Sequence, residues 1–249
     1  MNRLELRDVS VAVAVEDAPE KVILESVDVA LGEARIAVIG ANGSGKSTLL
    51  RLLNGLIAPT TGSVTVGGLD TVRDGRAVRQ RVGFVFTDPL SQLVMPTGRE
   101  DVELSLRRHH RDRSARAAAA QAVLERFGLA ALADQSVYEL SGGERQLMAL
   151  AAVLAVEPEV LVLDEPSTLL DLRNRELLRR TLAGLPQQVI LTTHDLELAL
   201  DADRVLVVED GRIAFDGDPA EAVGFYRALC AAAPVPVGTG QGRTTAGSR

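Results

Sequence analysis

Apolar and polar positions change period along this chain, and the changes divide it into elements. Over residues 3–31 the period is two. Leu4 and Leu6 alternate with charges, and Val9, Val11, Val13 and Val15 alternate with small residues. That spacing lines one face of an extended chain and predicts antiparallel strands. The polar stretch 17–21, containing Pro19, reads as the turn between them, and 22–31 as a further strand. Residues 36–39 are unbroken apolar and read as a buried strand. Leu49, Leu53, Leu56 and Ile57 then recur at helical spacing and predict a helix ending near Pro59. Residues 63–66, closed by Gly67-Gly68, and 82–86, stopped by Asp88-Pro89, read as two more strands.

From about residue 90 to 158 strand patterns vanish and Ala, Leu and Arg dominate. This stretch reads as a helical lobe inserted between sheet strands. Strands return at 160–163, 189–191 and 205–208. A helix lies between the first two, with Leu177, Leu178, Leu182 and Leu185 on its apolar side and Gly184 and Pro186 as its stop. Asp210-Gly211 marks a tight hairpin. Residues 234–249 are rich in Gly, Thr and Pro and read as a disordered tail. No internal repeat is visible.

Composition narrows this picture. The chain has 249 residues and 46% hydrophobic content, enough for one large α/β domain or two closely packed lobes. A net charge of −7 argues against a nucleic-acid partner, which usually demands a basic face. Cys230 is the single cysteine, which rules out an intramolecular disulfide and suits a reducing compartment. The first eight residues are charged and strand-like rather than a signal peptide. No run of about 18 apolar residues exists to span a bilayer, which leaves docking onto a membrane protein open. The basic run Arg107-Arg108-His109-His110-Arg111 reads as a solvated loop or helix end. Adjacent histidines seldom face one metal, and no third ligand is evident.

The richest chemistry lies at Gly40-Ala41-Asn42-Gly43-Ser44-Gly45-Lys46-Ser47. It matches G-x-x-x-x-G-K-[ST], a phosphate-binding loop, and stands where such a loop must, between a strand and a helix. Free backbone N–H groups and the helix dipole favour phosphate there. Lys46 is expected to reach the β- and γ-phosphates and the Ser47 hydroxyl to ligate Mg²⁺, with Thr48 continuing the amide cradle. A second acidic half of the site follows the apolar run 160–163 as Asp164-Glu165. After a phosphate loop, such a strand supplies an Asp to hold Mg²⁺, and Asp164 fits. Glu165, one residue on, is placed to orient or deprotonate an attacking water. His194, reached through Thr192-Thr193, comes to the same sheet edge if the strands are parallel. Leu140-Ser141-Gly142-Gly143-Glu144-Arg145-Gln146 precedes a run of helical spacing and reads as a second anion-binding helix start. Ser141 can donate a hydrogen bond, and Gly142 and Gly143 permit close approach. An ordinary Ser N-cap needs neither glycine.

Taken together, these segments resemble the ATP-binding cassette (ABC) ATPases over roughly residues 3–230. The loop at 40–47, the Leu-Ser-Gly-Gly-Glu signature at 140–144, Asp164-Glu165 and His194 stand in that family's order and spacing. Asp171 resembles the family's D-loop aspartate, which lies at its dimer contact. The resemblance implies an α/β phosphate-loop fold with a RecA-like core, an antiparallel β subdomain and an inserted helical subdomain. It implies one ATPase domain over 1–233, with the helical part at about 90–158. It also implies a head-to-tail dimer, with a second copy or a paralogue, in which each ATP lies between one subunit's phosphate loop and the other's signature.

The segment Phe84-Val85-Phe86-Thr87-Asp88-Pro89-Leu90-Ser91-Gln92-Leu93-Val94, followed by Pro96-Thr97-Gly98-Arg99-Glu100-Asp101-Val102, resembles the ATPases of energy-coupling-factor importers, nearest to the biotin type. Those import vitamins or cobalt and nickel ions. The resemblance implies a peripheral place at the cytoplasmic face of the membrane. Partners would be a transmembrane coupling subunit and a substrate-binding membrane protein, with no nucleic acid. A soluble ABC ATPase of cluster assembly is the rival reading. Two departures stand out. Where the family's metal- and water-sensing glutamine follows the strand, this chain has Thr87, and Gln92 is the candidate replacement at nucleotide and metal or, alternatively, a residue of the membrane-partner groove. Where an aromatic usually stacks on adenine, residues 9–15 hold only Val, Ala and Ser. Val11 or Val13 is left to offer an apolar face, which predicts weaker base selectivity.

Overall fold

The computed structural model describes residues 4–15 and 18–232. The proposed tail at 234–249 lies outside the described residues. The amino-terminal alternation produces β1 (Leu4–Val15) and β2 (Ala18–Leu31), paired antiparallel. β2 begins within the stretch expected to be a turn, and Lys21 already pairs with Val13. β4 (Thr61–Val66) joins the other edge of β1, and β5 (Leu69–Asp70) completes a four-stranded antiparallel sheet ordered β2-β1-β4-β5.

The second sheet has six strands. Its parallel part consists of β3 (Arg35–Ile39), β6 (Val82–Val85), β7 (Val160–Leu163), β8 (Gln188–Thr192) and β9 (Arg204–Glu209). The order is β10-β9-β3-β8-β7-β6, with β10 (Arg212–Gly217) antiparallel to β9 across the Asp210-Gly211 hairpin. The unbroken apolar runs of β3 and β7 follow from burial on both faces. Ile36, Val38, Val160 and Val162 enter the core shared with the antiparallel sheet. Ala37, Ile39, Leu161 and Leu163 enter the core on the opposite face. That second face is covered by α6 (Leu172–Ala183), α7 (Leu196–Leu200) and α8 (Pro219–Ala232). Sequence reading did not anticipate α7 and α8, which are short or weakly periodic. In α6 the packed positions are Leu178 and Leu182, with Leu185 just beyond the helix, while Leu177 is exposed.

The helix behind the phosphate loop, α1 (Lys46–Leu53), stops well before Pro59. Gly55 N–H bonds Leu52 O and Leu56 N–H bonds Arg51 O, with Gly55 at φ 66°. This is a Schellman ending, which glycine at that position favours. The 3.6-residue spacing of Leu56 and Ile57 therefore did not signify helix. A short helix, α2 (Gly75–Arg81), follows the antiparallel sheet and was also unforeseen.

Residues 98–154 supply α3 (Gly98–Leu106), α4 (Arg113–Arg126) and α5 (Gly142–Leu154) around their own core. α5 joins this lobe to the sheet. Leu147, Met148 and Ala151 pack in the helical core, while Leu150 and Leu154 pack in the sheet core. The basic run 107–111 lies at the end of α3 and in the turn after it, where Leu106 O accepts from His109 and His110 N–H. Leu124 on α4 is fully buried in the helical core. Leu124→Ala is expected to destabilise the protein by about 2–5 kcal/mol through cavity formation. Guanidinium unfolding checks this, and a loss below about 1 kcal/mol would contradict a packed lobe.

Candidate active site

β3 delivers Gly40 and the loop to α1, with Ala41, Asn42 and Gly43 exposed and Ser44, Gly45 and Lys46 buried. Lys46 Nζ donates to Gly40 O and Ala41 O, both at 2.9 Å, so the ammonium is folded over the loop it serves. The helices α3 to α7 each have an N-terminal side-chain cap, from Thr97, Asp112, Ser141, Asp171 and Asp195. α1 has none. The N–H groups of its first turn lack intrahelical acceptors by geometry, so an anion is the natural cap. Ser44 Oγ is likewise buried without a hydrogen-bond partner. The loop is built for phosphate, and Ser47 and Thr48, half-buried at the helix start, sit at its inner end.

The opposite wall comes from β7 and β8. Leu163 pairs with Leu191 in parallel register, and Val38 of β3 pairs with Thr192 on the other side. The loop, the acid pair and His194 thus emerge at one sheet edge. Asp164 is buried, and its Oδ1 accepts from Ser47 Oγ at 2.8 Å and from Thr192 Oγ1 at 2.9 Å. Arg51 lies 4.0 Å from its other oxygen. A hydroxyl and a carboxylate held together beside a phosphate cradle are the oxygen donors Mg²⁺ takes. Among the described residues no group of three or more His, Cys, Asp or Glu forms an all-protein metal site.

Glu165 stands with φ 52°, a left-handed conformation rare for a non-glycine residue. Its Oε1 lies 3.1 Å from His194 Nε2, and its side chain is largely buried. Burial raises the Glu165 pKa above the ordinary carboxylate value, with His194 and Lys46 pulling it down and the charge of Asp164 adding to the rise. Burial lowers the Lys46 pKa, while Glu165 and Asp164 support its charge. A cation and two carboxylates therefore share one partly dehydrated space, where their mutual fields are strong.

Ser141 caps α5 in a capping box. Its Oγ accepts from Glu144 N–H at 3.3 Å, and Glu144 Oε2 accepts from Ser141 N–H at 2.7 Å. Ser141 is nevertheless exposed. Gly143 has a local reason as well, since a Cβ there would overlap the Asn174 side chain. The signature thus packs against the start of α6, where Asp171 caps Asn174 N–H at 2.8 Å. Within the described residues of one chain, the hydrogen bonds of the Ser141 side chain and N–H go to Glu144 and none joins Ser141 to the phosphate loop.

Gln92 is placed elsewhere. Its Oε1 accepts from Phe86 N–H at 3.2 Å and its Nε2 donates to Ala149 O at 3.1 Å. It ties the end of β6 to α5, and no hydrogen bond joins it to Ser47 or Asp164 among the described residues. Gln92 also lines a groove of about 690 Å³ between the lobes. Leu56, Val94 and Leu104 line this groove while remaining exposed. Of the two valines offered for adenine, Val11 is buried, and Val13 is 45% exposed. Thr192 and Arg51, missed from the sequence, belong beside Asp164. β8 ends at Thr192 and His194 lies in the bend beyond it, so no strand alternation links the two and the sequence carried no local signal for Thr192.

The ABC transporter family model matches residues 25–168. The chain is 48% identical over 211 residues to the biotin transport ATP-binding protein BioM of Rhizobium etli, covering 85% of this chain and 94% of that protein. It is 41% identical to the energy-coupling factor transporter ATP-binding protein EcfA1 of Halalkalibacterium halodurans, covering 82% and 76%. A dimeric ATP-binding cassette in a post-hydrolysis state bound to ADP and Pi superposes with a TM-score of 0.77 at 27% identity, covering 87% of this chain and 98% of that one. CbiO1 from Clostridium perfringens, part of an ABC transporter complex, gives a TM-score of 0.76 at 28% identity, with 92% and 93% covered.

Fold and site define a phosphate-loop ATPase of the ABC class. The chain belongs to the ABC transporter family as an ATP-binding, ATP-hydrolysing subunit.

If Val13 faces the base, it offers an apolar surface and no hydrogen-bonding group to tell the purines apart, so GTP is expected to compete effectively with ATP. Competition against a fluorescent ATP analogue checks this, and a strong ATP preference would show that another group reads the base.

Proposed function

We propose that this chain energises a membrane importer of the energy-coupling-factor type, carrying a vitamin such as biotin or a cobalt or nickel ion. It does so by ATP-dependent closure of a head-to-tail dimer with a second copy or a paralogue, at the cytoplasmic face of the membrane. The observation that carries this reading is the division of the anion site. One helix start, the uncapped α1, faces the acids, while a second, the Ser141-capped α5, presents that exposed serine on a different lobe. Neither surrounds a γ-phosphate alone. Exposed Leu169 and Leu172 flank Asp171 and supply apolar surface for the contact.

In this reading Lys46 and the amides of Gly43, Ser44, Gly45, Lys46, Ser47 and Thr48 hold the β- and γ-phosphates, completed by Ser141, Gly142 and Gly143 of the other copy. Ser47 and Asp164 hold Mg²⁺, which supplies charge neutralisation on the phosphate oxygens when bound. Glu165 takes the proton of the attacking water, and its raised pKa suits a base poised nearer neutrality. His194 orients Glu165 and the γ-phosphate. ATP joins the two copies and cleavage releases them, a switch limited by the difference in ATP affinity between the open and closed states. The exposed apolar side chains in the inter-lobe groove support docking of a transmembrane coupling subunit, which leaves substrate selection to a separate membrane protein. The name of the BioM relative favours a biotin importer, and that of the EcfA1 relative favours the energy-coupling-factor type.

Glu165→Gln is expected to keep ATP binding, accumulate the dimer in MgATP and lower turnover by about 10²–10⁴-fold. Size-exclusion chromatography and phosphate release measure both, and near-normal hydrolysis removes Glu165 as the base. Val94→Glu, in the groove, is expected to abolish co-purification of the membrane subunit while the isolated chain still hydrolyses ATP. Recovery of only soluble partners with the unaltered chain would favour the cluster-assembly role instead.

A further inference from the structure

The acid pair is held by a side chain that neither the sequence motifs nor the family resemblance picks out. Thr192 ends β8, the strand between the one that delivers the phosphate loop and the one that delivers Asp164-Glu165. It is fully buried. Its hydroxyl works in both directions, donating to Asp164 Oδ1 at 2.9 Å and accepting the backbone N–H of Glu165 at 2.9 Å. A hydroxyl carries one proton and two lone pairs, so it can join an acceptor to a donor where a methyl joins neither.

The need for such a joint is visible in the backbone. Asp164 N–H still bonds Val85 O across to β6 at 2.9 Å. One residue later the chain turns left-handed at Glu165, φ 52°, and the acceptor of the Glu165 N–H is Thr192 rather than a strand carbonyl. Thr192 thereby holds the turn that separates the two acids. It fixes Asp164 toward Ser47, which donates to the same Oδ1 at 2.8 Å, and it anchors the backbone from which the Glu165 carboxylate reaches His194. The backbone of Glu165 is tethered through residue 192, and its carboxylate lies 3.1 Å from His194 Nε2, two residues further along the chain.

We propose that Thr192 is a positioning residue that sets the metal-site carboxylate and the general base as one unit. It is fully buried and acts through Asp164 and Glu165. The inference rests on the roles proposed above for those two residues. It assigns the carboxylates' mutual orientation to a single hydroxyl and predicts that valine, close in shape, fails where serine succeeds.

The test compares Thr192→Val and Thr192→Ser, with rates normalised to the nucleotide-binding fraction. Thr192→Val is expected to lower kcat by about 10–100-fold, as loss of outer-shell partners of a metal site does. It is also expected to raise the Mg²⁺ concentration needed for half-maximal nucleotide-dependent thermal stabilisation, while ATP affinity without Mg²⁺ stays near that of the unaltered protein. Thr192→Ser is expected to restore both readouts. Combining Thr192→Val with Glu165→Gln should add little to the loss of kcat but keep the Mg²⁺ shift. If Thr192→Val does not fold, Thr192→Cys carries the same comparison, since a thiol is similar in size and a weak hydrogen-bonder. The proposal is overturned if the folded variant keeps the normal kcat and Mg²⁺ midpoint while Glu165→Gln is inactive. It is equally overturned if stability falls with unchanged rates per binding site. Normal turnover by Glu165→Gln would instead sink the assignment of the base.

Discussion

The nucleotide site depends on the parallel alignment of β3, β8 and β7. Three segments distant in sequence end at one sheet edge because their strands share direction and register. The loop brings a buried ammonium, β7 brings two acids, and β8 brings Thr192 and His194. Buried ionised groups are tolerated only when other charges and donors compensate them. Ser47, Thr192 and Arg51 do this for Asp164, and Lys46 and His194 do it for Glu165. A slip of one residue in β8 would turn Thr192 to the other face and leave Asp164 and the Glu165 N–H without this partner.

The helical lobe is held in relation to that edge by α5. This helix buries residues in two cores, so its amino-terminal Ser141 cannot drift independently of the sheet. The contact of Gly142 and Gly143 with Leu169 and Asn174 ties the second anion half-site to the turn carrying Asp171. Gln92 adds a further link, from the strand end to α5. The groove between the lobes is lined from both sides, so a partner seated there meets residues of the sheet and of the helical lobe together. Under the proposed function, this continuity is what couples the groove to the nucleotide.

Much of the site was legible because its chemistry requires contiguous residues. A phosphate loop needs its glycines, Lys46 and Ser47 in a row, and a capped helix start needs Ser141 just ahead of its apolar stripe. The buried strands were legible because double-sided burial leaves continuous apolar runs. The helix after the loop was misjudged because Leu56 and Ile57 keep the helical period after Gly55 has already turned the chain. Leu177 was misassigned because spacing alone does not fix which of two adjacent leucines faces the sheet. The short α2 and α7 carry too few turns to establish a period.

The chain's residue pattern by itself determined the class of chemistry. Local backbone geometry suffices to make a phosphate cradle, and a few polar residues beside apolar runs reveal it. Tertiary structure alone decided which hydroxyl holds which carboxylate. It gave Gln92 to the backbone of Phe86 and Ala149, left Val13 rather than Val11 exposed, and placed Thr192 between Asp164 and Glu165. These outcomes rest on strand register and side-chain parity across non-local neighbours. No local propensity encodes them, because each pairing brings together residues that adjoin only after the sheet has formed.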